Sequence, residues 1–319
     1  MTQTITKPEA FLDALGLDAH LLPGARAANE SFALRVPAPY LARIRPGDPN
    51  DPLLRQVLPH ADELVEQPGY VSDPLEEGAA KRAPGLLQKY AGRALLITTA
   101  ACAIHCRYCF RREYPYADQT SDEGARWAAA LSEIAADPTI EEVILSGGDP
   151  LSLSNARLIQ LTDALTAMPH VKRIRVHTRQ PVVLPARVDD GLCAWIAGIR
   201  LPLVFVLHVN HPNEIDGEVR SACARLRAAG VTLLNQSVLL AGVNDDVDTL
   251  KCLSVTLMDA GVLPYYLHLP DRVRGTAHFD VAEQRARDLV AALTAQLSGY
   301  LVPRLVREIP GAPSKTAIV

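Results

Sequence analysis

Residues 94–112, Ala94-Leu-Leu-Ile-Thr-Thr-Ala-Ala-Cys102-Ala-Ile-His-Cys106-Arg-Tyr-Cys109-Phe-Arg111-Arg112, join a short apolar run to a polar loop that carries three cysteines. The same alternation continues downstream. Apolar runs at Leu95 to Thr98, Val143 to Ser146, Ile174 to Thr178, Leu203 to Val209, Thr232 to Leu240 and Tyr265 to Leu269 are followed by amphipathic stretches. Those stretches are Asp122 to Ala136, Asn155 to Met168, Asp189 to Ile199, Gly217 to Ala229, Asp246 to Ala260 and Val281 to Leu297. Short apolar runs between longer helical patterns are the mark of βα units feeding a parallel sheet. Several runs are apolar on both faces, as strands covered by helices outside and by packing inside must be. Six such units predict an α/β fold, a partial (β/α)6 barrel of TIM type, with a doubly wound open sheet as the alternative. In a barrel, the segments Cys102 to Arg112, Gly147 to Leu151, Arg179 to Pro181, Asn210 to Glu214, Gly242 to Asp246 and Asp271 to His278 share the carboxyl rim, where such folds keep their chemistry.

Upstream, as far as about Pro84, the chain is rich in proline and acidic turns, as in Pro46-Gly-Asp-Pro-Asn-Asp-Pro52, with short helical stretches such as Glu9 to Leu15. Proline removes backbone donors and fixes φ, so this part is expected to wrap the core without supplying central strands. The division expected is an N-terminal accessory region over 1–88, the barrel core over 89–299, and a C-terminal strand and tail over 300–319. The tail begins as one more strand at Tyr300 and ends in Pro310-Gly-Ala-Pro-Ser-Lys315. The 319 residues are 48% hydrophobic and 21% charged, and 32 Lys plus Arg against 36 Asp plus Glu give a formal charge of −4. Disorder and coiled coil are excluded. No apolar run approaches the ~20 residues of a membrane span, and Met1 to Glu9 lacks the blocks of a secretory signal, so a cytoplasmic protein without membrane contact is expected. A pI near 6.1 offers no electrostatic footprint for nucleic acid. In reducing cytosol, six cysteines are better read as ligands, nucleophiles or buried small hydrophobes than as disulfides.

Cys102, Cys106 and Cys109, spaced C-x3-C-x2-C, use half of those cysteines within eight residues. Three thiolates on one loop can converge on a soft centre, zinc or iron–sulfur. A closed zinc site needs a fourth ligand, and His105, adjacent to Cys106, would have to fold back to supply it. A four-iron cluster takes three cysteines and leaves one iron open for a substrate or cofactor. Ser146-Gly147-Gly148-Asp149-Pro150 ends the second run. Its glycines expose backbone to a ligand and Asp149 adds an acceptor suited to an ammonium, against the plainer reading of a tight strand-to-helix turn. His208 and Gln236 are either hydrogen-bonded core groups or neighbours of a bound cofactor. Cys193, Cys223 and Cys252 fall in helical patterns and read as buried hydrophobes.

The loop from Cys102 to Arg112, placed after the first barrel strand, resembles that of the radical S-adenosylmethionine (SAM) enzymes. The resemblance implies a [4Fe–4S] cluster on Cys102, Cys106 and Cys109 whose open iron chelates SAM. It places Gly147, Gly148 and Asp149 by the methionine amine, Tyr108 beside the cluster, and His208 and Gln236 near SAM or substrate. Asp48-Pro-Asn-Asp-Pro52, Lys89-Tyr90 with Arg93, Arg111-Arg112, Thr178-Arg-Gln-Pro-Val-Val-Leu-Pro185, His211-Pro-Asn-Glu214, Gln236-Ser-Val-Leu-Leu240, Leu263-Pro-Tyr-Tyr266 and Gly275 to Phe279 are together similar to the lysine 2,3-aminomutase family, over roughly residues 45 to 319. The tail from Tyr300 through Glu308 to Thr316 is most similar to the branch that makes (R)-β-lysine for elongation factor P.

That family uses pyridoxal phosphate (PLP) on a lysine near the carboxyl end, and the resemblance puts Lys315 there. It implies that Arg93 and Tyr90 hold the PLP phosphate, with Lys89 standing where arginine is frequent, and that Arg111 clamps the substrate carboxylate. Asp271 and Glu308 would receive the ε-ammonium of lysine, Glu308 standing where free-lysine enzymes have aspartate. Gly311-Ala-Pro-Ser314 replaces a glycine run. Expected partners are lysine, an external electron donor of flavodoxin or ferredoxin type, and, through function, elongation factor P and its lysyl ligase. A homo-oligomer, smaller than in relatives with a metal-binding extension, is also expected. The competing readings are a radical aminomutase for free-lysine metabolism, one for another amino acid such as glutamate, against which the two acids speak, and a zinc-stabilised binding protein without catalysis.

Overall fold

The computed structural model describes residues 3–116 and 123–319. Chain order runs β1 (Thr4–Ile5), α1 (Pro8–Leu15), α2 (Leu22–Ser31), β2 (Val36–Pro37), α3 (Ala38–Leu41), α4 (Pro52–Arg55), β3 (Lys81–Ala83), β4 (Leu86–Tyr90) and β5 (Arg93–Thr99). It continues with α5 (Glu123–Ala136), β6 (Glu142–Gly147), α6 (Asn155–Thr166), β7 (Arg173–Thr178), α7 (Gln180–Val183), α8 (Asp190–Gly198), β8 (Leu203–Leu207), α9 (Gly217–Ala228) and β9 (Thr232–Val238). It closes with α10 (Val247–Asp259), β10 (Leu263–His268), α11 (Glu283–Thr294), β11 (Arg304–Arg307) and β12 (Thr316–Ala317). All six expected strands and all six expected crossover helices are present. Asp122, the expected start of the first of those helices, lies outside the described residues.

Strands β5 to β11 pair in parallel, each with the next in sequence. Because the order never reverses there is no topological switch point, which rules out the doubly wound alternative. The sheet curls as well. Lys89 of β4 reaches Glu308, just past β11, at 3.3 Å although seven strand positions separate them in the sheet. The architecture is an open, partial (β/α)6 barrel.

Its outer face packs under the helices through Leu96, Leu145, Val176, Phe205 and Leu233 against Trp127 and their neighbours. A second core, made by Phe11, Leu34, Tyr40, Leu53 and Val57, covers the rim and takes in Ile104 of the cysteine loop and Val183 of α7. The proline-rich segment therefore roofs the loop. It also adds the antiparallel pair β3–β4 at one sheet edge, so a boundary drawn at residue 88 cuts through β4. Edge position explains this: a donorless proline between the two strands is harmless where no further ladder must form. At the other end the strand starts at Arg304 and not Tyr300, since residues 299–301 take a 3-10 turn before Pro303. Cys223 is buried as expected and Cys193 half-buried, but Cys252 is exposed. The buried face of α10 runs through Leu250, Leu253, Ser254 and Leu257, which leaves residue 252 on the solvent side.

Candidate active site

On each barrel strand, the residues that alternate with the outer core face the lumen. They include Arg93 of β5, Ser146 of β6, Arg175 and His177 of β7, Gln236 of β9, and Tyr266 and His268 of β10, with His208 just past β8. Contacts across the lumen wall confirm the phase: the His177 and His208 rings meet edge-on at 5.9 Å, and those of Tyr266 and His268 at 5.5 Å. Burial pulls the His208 pKa down to about 4, so its imidazole is neutral at physiological pH. The Nε2 atoms of His177 and His268 and the Oε1 of Gln236 are buried without a hydrogen-bond partner. Buried polar atoms ordinarily find one, so three on one wall mark a surface built for a polar ligand. His177 and His268 carry no sequence signal beyond their places in strands; only the β alternation, applied after the strands are known, finds them.

The cysteine loop leaves β5 at the rim and is bolted to the proline-rich roof. Arg107, fully buried, sends Nε to Glu63 Oε1 at 2.8 Å and Nη1 to the Phe32 carbonyl at 2.6 Å, while Arg112 Nη2 reaches Glu63 Oε2 at 2.7 Å. His105 turns away from the thiols: its ring stacks on Phe32 at 5.2 Å and Nδ1 lies 2.7 Å from the Ala33 carbonyl. It is thus committed to the roof and is no candidate fourth ligand. Burial pushes the Cys109 thiol up to about 11 and the Cys102 thiol higher still. Arg179 Nη1 donates to the Cys106 sulfur at 2.8 Å.

Beneath the loop, Gly147 and Gly148 serve close approach. A Cβ on Gly148 would stand 2.4 Å from the Ala101 carbonyl oxygen, and one on Gly147, whose φ is +124°, 2.6 Å from that of Thr99. Only glycine lets the ends of β5 and β6 meet this closely. Asp149 departs from the expectation of an acceptor for an ammonium. Its Oδ1 accepts from Leu151 N at 3.0 Å and Thr178 Oγ1 at 2.7 Å, and its Oδ2 from Arg179 N at 2.8 Å and Gln180 N at 3.0 Å. Four donors fill the four lone-pair sites of a carboxylate, so Asp149 is a strut between β6 and the turn after β7.

At the open seam of the barrel, between β4 and β11, Arg111, Lys89, Glu308 and Lys315 join Glu77 in one ion network, with Asp271, Arg93 and Tyr90 nearby. Arg111, buried near the end of the cysteine loop, is gripped by Glu77, Nε to Oε2 and Nη2 to Oε1 both at 2.8 Å, and its Nη1 meets Ser146 Oγ at 3.2 Å. Lys89 Nζ stands between Glu77, at 3.5 Å, and Glu308, at 3.3 Å. Lys315 Nζ is 2.5 Å from the other Glu308 oxygen and 5.9 Å from the centre of the Tyr266 ring. The β11–β12 hairpin sets that pairing: Arg307 opposes Thr316, so the next residues along, Glu308 and Lys315, fall side by side. Burial works against the Glu308 carboxylate, but Lys315 and Lys89 hold its pKa at about 2. Asp271 shows the opposite balance: burial and the charge of Glu308 push it up to about 7, against the pull of Lys315 and Lys89. The Arg93 guanidinium lies 4.7 Å over the Tyr90 ring, and Tyr90 faces Glu308. Glu77 gave no signal in the sequence, because a glutamate in a proline-rich turn reads as solvated surface.

A sequence profile described as a 4Fe-4S single cluster domain matches residues 91–178. The chain is 49% identical to L-lysine 2,3-aminomutase of Escherichia coli strain K12 over all of its own length and 93% of that protein. It is 37% identical to L-lysine 2,3-aminomutase of Clostridium subterminale over 93% of this chain and 71% of that one. Among solved structures, a radical SAM methyltransferase from Sphaerobacter thermophilus covers 70% of this chain and 68% of its own with a TM-score of 0.48 and 17% identity. A full-length match at 49% identity, joined to three cysteines on the first rim loop of an open parallel barrel, places the chain in the lysine 2,3-aminomutase family of radical SAM enzymes, isomerases that work with a [4Fe–4S] cluster, SAM and PLP.

Proposed function

We propose that the protein converts L-α-lysine to (R)-β-lysine and that the product serves the modification of elongation factor P. The observation that carries the lysine reading is the ion network at the seam, which offers a cation for the α-carboxylate and acids for the ε-ammonium. Arg111 suits the α-carboxylate, where a guanidinium forms forked charge-assisted bonds. Asp271 and Glu308 suit the ε-ammonium, and a glutamate substrate would meet two acids there. The residues also fit the family's cofactors. Three thiols on one loop, one with an arginine against its sulfur, suit a four-iron cluster with an open corner. The unpartnered lumen atoms of His177, Gln236 and His268 suit a polar ligand such as SAM beside His208. Arg93, Tyr90 and Lys89 offer cations and a hydroxyl for a phosphate, near an amine, that of Lys315, able to condense with a carbonyl.

When bound, the cluster with SAM supplies hydrogen-abstraction chemistry, and PLP supplies the conjugated ring that lets nitrogen pass from the α- to the β-carbon. The chain's own part is placement. Arg111 fixes the carboxylate end and Asp271 with Glu308 the ammonium end, so the carbons between them are held in one register. Lys315 leaves its ion pair with Glu308 when its amine is used, and the Glu308 charge becomes available to the substrate. The roof over the cysteine loop keeps water from the reacting carbons.

Support for the elongation factor P branch comes from Glu308 in place of aspartate and from Gly311-Ala-Pro-Ser314 in place of a glycine run. An electron donor of flavodoxin or ferredoxin type would reduce the cluster. The test is anaerobic incubation of reconstituted protein with L-lysine, SAM, PLP and dithionite, with the product resolved on a chiral column. (R)-β-lysine is expected. No β-lysine from protein loaded with cluster and PLP would overturn the activity, and the S enantiomer would overturn the branch.

A further inference from the structure

Arg179 joins parts of the molecule that no single motif connects. Its Nη2 donates to Glu214 Oε2 and to Gln56 Oε1, both at 2.7 Å, and to the Tyr40 hydroxyl at 3.3 Å. Its guanidinium lies between the rings of Tyr40, at 5.3 Å, and Tyr108, at 5.6 Å. Glu214, wholly buried, is fixed in turn by the backbone amides of Asn210 at 2.9 Å and His211 at 3.1 Å. Roof, turn after β7 and turn after β8 thus converge on one arginine that is only 6% exposed; of the two nitrogens they leave over, Nε is buried without a partner and Nη1 points at Cys106 Sγ, 2.8 Å away. Among the described residues this is the one guanidinium hydrogen-bonded to any of the three loop sulfurs.

A buried ion pair between Arg179 and Glu214 alone would bolt the roof to the barrel, and it would need no contact with sulfur. The directed N–H···S bond asks for more. Donors to a cluster's sulfurs stabilise the form with more negative charge, and reduction adds one electron to the cluster, so the bond favours the reduced state. We propose that Arg179 is a positioning residue for the iron–sulfur cluster, which holds Cys106 in place and raises the potential at which the cluster accepts its electron. The inference rests on the cluster assignment and is independent of which amino acid the enzyme rearranges.

The experiment is an EPR-monitored redox titration of the full chain, reconstituted anaerobically and assayed for iron and sulfide, as wild type, Arg179→Lys and Arg179→Gln. At the poise where the wild type is half reduced, Arg179→Gln with the same iron content should show about a tenfold lower ratio of reduced to oxidised cluster. That corresponds to a midpoint lower by ~59 mV for one electron. Arg179→Lys, which keeps the charge but loses the planar fork, should fall between. A fully loaded Arg179→Gln titrating with the wild type overturns the proposal. Should that variant fail to hold a cluster, wild-type protein carrying guanidino-15N arginine decides: a 15N coupling to the reduced cluster in pulsed EPR supports the bond, and its absence overturns it. Wild-type protein with neither iron nor sulfide would instead overturn the cluster assignment beneath both readings.

Discussion

Asp271 and Glu308 stand in the same charge network, yet they are driven in opposite directions. Glu308 touches two lysines and stays ionised at every physiological pH; its contribution to stability is present above the usual glutamate pKa of 4.5 and is lost as pH falls toward about 2. Asp271 is half-buried and close to that charge, and desolvation together with the charge favours its protonated form up to about 7. Only the ionised form attracts an ammonium. The kcat/KM for lysine should therefore fall by up to about tenfold per pH unit below about 7, and Asp271→Asn should lower activity and remove that limb of the profile. Stability should move the other way. Asp271 ionises near 3.8 in the unfolded chain and near 7 in the fold, so the fold holds the extra proton between those values and loses stability as pH rises through them. Asp271→Asn should thus melt higher than wild type at about pH 8, with the gain vanishing below about pH 4. A variant that retains the wild-type acid limb would show that another group sets it. The Glu77–Arg111 fork adds a related point. It occupies the Nε edge of the guanidinium and aims the rest toward Ser146, so the side chain expected to clamp a carboxylate is already oriented by one.

Among the elements, the β11–β12 hairpin has the largest effect on the site for its size. Two paired positions set the register that brings Lys315 to Glu308, and the turn between them passes through Gly311 at φ +75°. A β-branched residue is strained in that region. Gly311→Val should unseat the hairpin, leave the six βα units folded, and weaken PLP binding by about tenfold or more, for a strain of ~1–3 kcal/mol. PLP titration followed by absorbance, beside a far-UV spectrum, checks both halves; wild-type PLP affinity would show that Lys315 does not depend on the turn. The hairpin also shows where sequence reading runs out. The βα units were legible because runs such as Val143 to Ser146 are apolar and the helices between them amphipathic. Neither β12, two residues long, nor the β3–β4 edge pair, with Lys81, Arg82, Gln88 and Lys89, carries such a pattern. Part of the site was legible from motifs, as at Cys102, Cys106 and Cys109. Of the acids that hold its arginines, Glu63 and Glu77 gave no signal and Glu214 showed only as the end of the His211-Pro-Asn-Glu214 motif with no hint of its arginine, because pairing over long sequence separations leaves no local trace.

For the molecule as a whole, the roof and the barrel form one unit, because the roof supplies the countercharges of the cysteine loop. Glu63 is the clearest case. Its carboxylate is fully buried and receives Arg107, at 0% exposure, and Arg112, at 3%. Removing one partner of a buried pair leaves an uncompensated charge, at a cost of about 3–5 kcal/mol, and here two guanidiniums would lose theirs. By contrast, Glu9 and Arg26 pair on the open surface of the same roof, where water and salt screen the attraction. Glu63→Ala should accordingly lower the urea midpoint sharply and reduce the iron held per chain after reconstitution, since Cys109 lies between Arg107 and Arg112, which tether the loop, and Cys106 directly precedes Arg107. Glu9→Ala should leave both readings near wild type, and Glu63→Gln, which keeps acceptors but no charge, should lie between. If Glu63→Ala lost stability yet bound iron as the wild type does, the roof would be a prop for the fold alone and the loop would hold its thiols in place without it.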